Sequence, residues 1–473
     1  MKFASNVQEL KYKVLREVAR HTWRGEESFA VFDDIAKEVV RKDEKPMRCC
    51  IYKDRAIVAE RIRIALGGDR SNPNVIEVID IACDECPASG HTVTDMCRGC
   101  VAHKCESACR LGAITFDDEL VAHIDKKKCV ECGRCAKVCP YNAIMNFVRP
   151  CEAACKAGAI HMAETGEAEI DHEKCSNCGA CAFTCPFGAT ADKSFITDII
   201  HMLQDSEKNP QHKVHAIVAP SISSQFDASL GQVLAGIRAL GFTDVTEVAL
   251  GADMVAWHEA QELSEKGFLT TSCCPAFVRF IKANYPQLED NISSTLSPMA
   301  MLGRHIKQQD PDSKVVFIGP CTSKKIEIQL DTVKDYIDSV MTFEELLALF
   351  DSRGIDPAQL EEEEREDASY FGRIFARGGG VAEAVTEALQ EQGSDFEIKA
   401  RACAGLDQCD RALRQAKSGR APWNLIEGMA CEGGCVGGAG CLSHDEASKR
   451  AVERYAEAAG DRRITDVLPA GED

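Results

Sequence analysis

FLTTSCCPAFVRFIKANYP, Phe268 to Pro286, changes its period at a pair of adjacent cysteines. FLTTSCC reads as a short buried strand, and PAFVRFIKANYP spaces its apolar residues for a helix with proline in the first turn. A strand that runs into a loop and turns back as a helix is the unit of α/β layering. The same rhythm recurs on either side: KVHAIVAPS and SKVVFIGPC read as strands, ASLGQVLAGIRALGF and TFEELLALFDSRG as amphipathic helices. Neighbouring cysteines rarely bridge each other, because the disulfide is strained. Cys273 and Cys274 could both be small buried hydrophobes, or one sulfur could hold a metal while its neighbour does something else. Cys273, Cys274 and Cys321 all fall where a strand ends in a loop, the usual place for a site in such sheets. MACEGGCVGGAGC sets Cys431 and Cys435 in a glycine-rich loop whose backbone can approach a ligand closely.

Sixteen of the 26 cysteines lie between Cys83 and Cys185. Two runs, CVECGRCAKVCP (Cys129, Cys132, Cys135, Cys139) and CSNCGACAFTCP (Cys175, Cys178, Cys181, Cys185), have the C-x2-C-x2-C-x3-C-P spacing of bacterial ferredoxins. Two intervening residues let a tight loop aim three thiolates at one cubane, while the fourth cysteine reaches the neighbouring cluster. Zinc ribbons use CxxC pairs but do not need this rhythm. The runs lie 46 residues apart, as do CESACRLGAI from Cys105 and CEAACKAGAI from Cys151, so a two-part ferredoxin-like module is duplicated.

Cys83, Cys86, Cys97 and Cys100 complete the sixteen sulfurs, enough for four 4Fe–4S clusters, or for three with four spare thiols. Crossed pairing between the two runs assigns Cys129, Cys132, Cys135 and Cys185 to one cluster, and Cys175, Cys178, Cys181 and Cys139 to the next. Cys83, Cys86, Cys97, Cys100, Cys105, Cys109, Cys151 and Cys155 are expected to ligate, without a partition. Cys49 and Cys50 read as free thiols. Such an array moves single electrons and does no bond chemistry alone, so another centre must sit at its end.

The 473 residues suffice for two or three domains. We expect a helical N-terminal region at 1–80, an α+β ferredoxin-like multi-cluster domain at 81–192, and an α/β domain at 193–473 ending in a charged helical tail. This cysteine density argues for metal ligation in a reducing compartment. MKFASNVQELKYKV has no apolar signal region, which gives a cytoplasmic expectation. The net charge of −20 argues against nucleic acid and anionic membrane as main partners.

TSCCPAF from Thr271, GPCTSKKIE from Gly319 and EGMACEGGCVGGAG from Glu427 resemble, in order, the three signature motifs of the iron-only (FeFe) hydrogenases. The resemblance runs from about residue 193 to about 442, and the upstream clusters resemble that family's electron-input modules. It implies two α/β lobes around an H-cluster, a 4Fe–4S cubane joined through one sulfur to a two-iron unit carrying CO, cyanide and a dithiolate. The matching ligands are Cys274, Cys321, Cys431 and Cys435, with Cys435 resembling the bridging thiolate. Cys273 matches the unligated thiol that relays protons, and Lys324 the lysine that hydrogen-bonds a cyanide. Pro220 and Ser221 match the first wall of the pocket, Met429 matches the methionine before the third cysteine, and Ser293 and Glu259 match members of the proton path. The implied reaction interconverts H2 with protons and electrons. A ferredoxin-type carrier and dedicated maturation proteins are the implied partners.

Departures from the pattern accompany the match. Gly319 stands where the best-known branch has methionine, Met299 where it has a polar residue, and Ala276 where it has glycine. Together they suggest a looser or differently tuned pocket, similar to the group B branch. The outer acid of the proton path falls on Ala256, so that chain reads as broken, with His258 and Glu262 as nearby substitutes. FARGGGVAEAV reads as a turn into a helix near the pocket, EEEERED as a solvated acidic face, and Cys403, Cys409 and Cys441 as structural thiols. Lys126, Lys127 and Lys128 offer a basic patch to an acidic carrier. Two other readings share the fold: an H2 sensor of low turnover, and a non-catalytic iron–sulfur relative. Cys273 and Lys324 speak against the second, since neither is needed to hold a cubane.

Overall fold

The computed structural model describes residues 3–26, 29–460 and 462–470. Two parallel sheets build its C-terminal part. The first has the order Asp244–Glu247, Val214–Val218, Lys314–Gly319, Ser339–Thr342. The second has the order Leu269–Thr270, Leu425–Met429, Ala400–Ala404. These are the two expected lobes. Val315 to Ile318 are buried throughout, which is why that strand reads as an apolar run without alternation. Helix Val248–Lys266, mostly buried, packs against helices Pro298–Gln309 and Gly380–Glu391.

The N-terminal helices Asn6–Trp23, Phe29–Val39 and Ile51–Ala65 are not a separate region. Val14, Leu15 and Val18 share one core with Ile199, Val316 and Leu346, and Asn6–Trp23 packs along Phe343–Arg353. The expected boundary at residue 80 also falls late. Strand Ile76–Val78 pairs antiparallel with Thr190–Asp192 and belongs to the cluster domain.

That domain is a nest. The outer module closes on the pairing of Ile76–Val78 with Thr190–Asp192. Inside it, Gly90–Val93 pairs with Ile144–Phe147 and closes a complete inner module. Each module carries its own hairpin: Ile114–Phe116 with Ala122–Ile124 in the inner one, and Ile160–Met162 with Ala168–Ile170 in the outer one. The inner module therefore interrupts the outer one between Cys86 and Cys151.

A buried charge network ties the parts together. Lys325 Nζ lies 2.8 Å from Asp192 Oδ2 and 2.9 Å from Glu345 Oε1, and donates to the Lys193 carbonyl. Lys11, from the first helix, reaches both Asp192 and Glu344 at 2.6 Å.

Candidate active site and cluster chain

Four loops meet at the lobe interface, each leaving the C-terminal end of a strand. Pro220 and Ser221 follow Val214–Val218, Cys321 follows Lys314–Gly319, Cys273 and Cys274 follow Leu269–Thr270, and Cys431 follows Leu425–Met429. Hydrogen bonds fix the loops to one another. Gly428 N donates to Thr271 Oγ1 at 3.2 Å, and Gly440 N donates to the Pro320 carbonyl at 2.9 Å. Gly438 has to be glycine, since a Cβ there would stand 2.4 Å from the Pro320 oxygen.

One cavity between the lobes is lined by Cys273, Cys274, Cys321, Cys431 and Cys435, together with Lys324, Pro220, Ser221 and Met429. Burial pushes the Cys321 thiol up to about 11 and Cys435 to about 12, and neighbouring thiols add to both. Cys431 rises well above its ordinary range for the same reasons. Thiols this deep ionise only beside a cationic centre. Ser221 Oγ is buried and makes no hydrogen bond within the protein. Among the described residues, no three His, Cys, Asp or Glu side chains converge on a point that one metal ion could occupy, as a tetrahedral zinc site would require. The donor set and the orphaned hydroxyl fit a polynuclear group.

Lys324 is fixed by Glu327 at 2.6 Å and by the Cys273 carbonyl at 3.3 Å. Burial opposes its charge, but Glu327 outweighs burial and the ammonium is held above its usual range. Gly319 leaves room for a neighbouring ring. A Cβ on Gly319 would stand 2.4 Å from the ring of Phe317, and that ring lines the cavity in the space a larger residue would take. Met299, fully buried, continues the apolar wall, as do Phe375 and Ala376 from FARGGG. Ala276 is buried in the first turn of helix Pro275–Asn284.

Ala256 lies in the core, and a second carboxylate, Glu262, stands three residues beyond Glu259 on the same helix. Ser293 Oγ donates to Glu262 Oε2 at 2.8 Å. Glu259 Oε1 accepts from Ser272 N at 3.2 Å, while its Oε2 has no partner. Burial pushes Glu259 up to about 7, against the Ser272 N–H and the Ser293 hydroxyl. Glu262 stays below its ordinary value because Lys266 and the Ser294 N–H outweigh burial. Burial raises the Cys273 thiol well above its ordinary range, and Glu259 is the strongest charged contributor to that rise. The i, i+3 spacing of Glu259 and Glu262 was visible in the sequence and singles out Glu262 over His258, the other nearby substitute.

The sixteen upstream sulfurs fall into four sets of four, and crossing occurs within each module, not between the two runs. Cys109, Cys129, Cys132 and Cys135 line one cavity. Cys97, Cys100, Cys105 and Cys139 line a second. Cys83, Cys86, Cys151 and Cys185 line a third. In the remaining set, burial raises Cys181 and the thiols of Cys178, Cys175 and Cys155 reinforce it. Cys109 and Cys155 thus stand where the sequence assignment put Cys185 and Cys139. Cys185 instead joins Cys83, Cys86 and Cys151, and Cys139 joins Cys97, Cys100 and Cys105, because each module crosses its own chain back on itself. A repeated turn supports the grouping: Ala113, Ala143, Ala159 and Ala189 each donate N–H to the sulfur four residues earlier at 3.2–3.3 Å. The residue before each alanine has positive φ, supplied three times by glycine and once by Asn142.

The fourth set abuts the cavity. Thr322 Oγ1 donates to the Asn177 carbonyl, Ser323 Oγ to the Ser176 carbonyl and Arg279 Nε to the Cys175 carbonyl. Burial raises the Cys178 thiol, and the Cys274 thiol across this seam adds to the rise. Cys403, Cys409 and Cys441 are buried, with their thiols against backbone carbonyls and, for Cys403 and Cys409, against each other. Cys49 and Cys50 lie at the surface as free thiols.

Residues 212–439 match the family described as iron only hydrogenase large subunit, C-terminal domain. Residues 122–145 match a 4Fe–4S binding domain and 149–189 a 4Fe–4S dicluster domain. The chain is 31% identical over 374 residues to iron hydrogenase 1 of Clostridium pasteurianum, covering 67% of this chain and 64% of that protein, so it spans somewhat less than two thirds of the relative's length. A shorter stretch of 91 residues is 32% identical to the cytosolic Fe–S cluster assembly factor NAR1 of Kluyveromyces lactis, 19% of either chain. An apo FeFe-hydrogenase structure from Chlamydomonas reinhardtii superposes with a TM-score of 0.48 at 22% identity, over 57% of this chain and 91% of that one.

Proposed function

We propose that this FeFe-hydrogenase-like protein, with its N-terminal iron–sulfur domain, interconverts H2 with protons and electrons, exchanging electrons singly with a ferredoxin-type carrier through four 4Fe–4S clusters. One observation carries the reading. Cys274, Cys321, Cys431 and Cys435 share their buried cavity with the Cys273 thiol and the Lys324 ammonium, two groups that a plain cubane does not need. An H-cluster held by those four cysteines would supply the low-potential iron centre at which protons and electrons combine.

The chain's own residues do the rest. Lys324, aligned by Glu327, presents an ammonium that favours an anionic ligand in the cavity. Phe317, Met299 and Phe375 keep water from the wall they form. Protons travel from Glu262 through the Ser293 hydroxyl, both donor and acceptor, to Glu259 and then past Ser272 to Cys273. A carboxyl with a pKa of about 7 suits this task, because it takes up and releases protons near neutrality. Electrons pass between the Cys178 set and the cavity across the seam held by Thr322, Ser323 and Arg279.

Infrared spectroscopy of the matured protein tests this. CO and cyanide bands together with H2 evolution are expected, and Cys273→Ala should abolish turnover while leaving the bands in place. Similarity to NAR1 favours one second reading, an iron–sulfur protein without a two-iron unit. Absence of the bands after maturation would select it.

A further inference from the structure

The two nested modules present the same face in different surroundings. In the outer module, the loop from Cys175 to Gly179 packs onto the catalytic lobes: Ser176 is buried beneath Ser323, and Ala157 lies against the core of Phe277 and Phe280. The inner module has the same loop 46 residues earlier, and there none of the described residues covers it. Val130 replaces Ser176 and is 67% exposed, Leu111 replaces Ala157 and is 53% exposed, and Cys132, the counterpart of Cys178, is exposed. Arg110, Lys128 and Arg134 surround the same depression. Arg110 and Arg134 form no ion pair among the described residues, while Lys128 lies 3.6 Å from Asp125.

We propose that this Cys132 face is the docking surface for a small acidic one-electron carrier protein, which seats apolar side chains on Leu111 and Val130 and carboxylates on Arg110 and Arg134. The proposal rests on the electron-transfer reading above. The internal repeat gives it direction, because the outer copy of this face is the one across which Cys178 meets the cavity. Charge selects the partner: two unpaired arginines on a chain of net charge −20 form a local attraction in a repelling field. The Lys126–Lys128 patch expected from sequence is a poorer candidate. Lys126 is engaged by the His91 carbonyl at 2.6 Å and by Glu131, and Lys128 leans on Asp125.

The test follows bleaching of cluster absorption in the iron–sulfur-loaded full chain, mixed anaerobically with a chemically reduced acidic two-cluster ferredoxin or with reduced methyl viologen. Arg110→Glu with Arg134→Glu should slow reduction by ferredoxin about tenfold or more at low salt, with the difference shrinking as salt rises. Leu111→Ser with Val130→Ser should slow it without changing the salt dependence. Viologen reduction should be unchanged in both variants. Unaltered ferredoxin rates, or equal slowing by both reductants, would overturn the proposal. The readout needs no H-cluster, so a protein that reduces normally yet makes no H2 would count against the hydrogenase reading alone.

Discussion

Lys325 Nζ lies 2.8 Å from Asp192 Oδ2, both wholly inside the protein, and joins the second cysteine motif to the closing strand of the cluster domain. Asp192 also receives Lys11, so its carboxylate, held well below its usual range, is shared by two ammonium groups that pair in addition with Glu345 and Glu344. Asp192→Asn leaves both without that charge. Removing one partner of a buried pair costs about 3–5 kcal/mol. Urea unfolding should show that loss. A change below about 1 kcal/mol would mean the site is wet and the pairing weak.

Crossing within modules makes a pairwise prediction about ligands. Cys139→Ser and Cys97→Ser should remove the same electron paramagnetic resonance component, and the double variant should resemble either single one. Cys155→Ser and Cys175→Ser should coincide in the same way on a different component. Crossing between the runs would instead make Cys139→Ser coincide with Cys175→Ser.

Removing a relay member should stop protons and leave electrons alone. Glu262→Gln and Ser293→Ala are each expected to lower dye-driven H2 evolution by about 10²–10⁴-fold. Infrared bands and the rate of cluster reduction should match the parent. Retained activity in both variants would route protons elsewhere.

Asp253 gives a stability signature with a definite sign. Burial pushes this carboxyl from 3.8 up to about 7, although Ser369 N–H and Oγ donate to it. The folded state therefore holds the proton more tightly than the unfolded state. Its stabilising contribution is complete below about pH 4 and is lost as pH rises to about 7. Asp253→Asn should gain on the parent across that window, by an amount of order 4 kcal/mol. A variant whose stability tracks the parent at every pH would show that Asp253 is already ionised when folded.

The strand-to-helix switch at Cys274, the two ferredoxin runs and the three cysteine motifs were legible because each is written in contiguous residues. Partners set by topology were not. Cys185 joins Cys83 and Cys86 because a whole module loops out between Cys86 and Cys151, and spacing alone cannot distinguish nesting from tandem repetition. Phe317 escaped notice because its ring fills a space left by Gly319, two positions along the same strand, where alternation assigns both to one face. Glu262 reads only as a substitute beside His258, because the motif sets Ala256 in the outer place, although one helical turn separates Glu262 from Glu259.

Gly90 and Phe147 are direct neighbours across an antiparallel pair, so the chain departs for the inner module and returns at nearly the same point, about 5 Å apart. A deletion between them, bridged by a tight turn, would remove two of the four cysteine sets and leave every residue around the cavity between the lobes where it stands. Reach toward outside partners and chemistry at the core are thus separately heritable: evolution, or an engineer, can exchange the plug without rebuilding the machine.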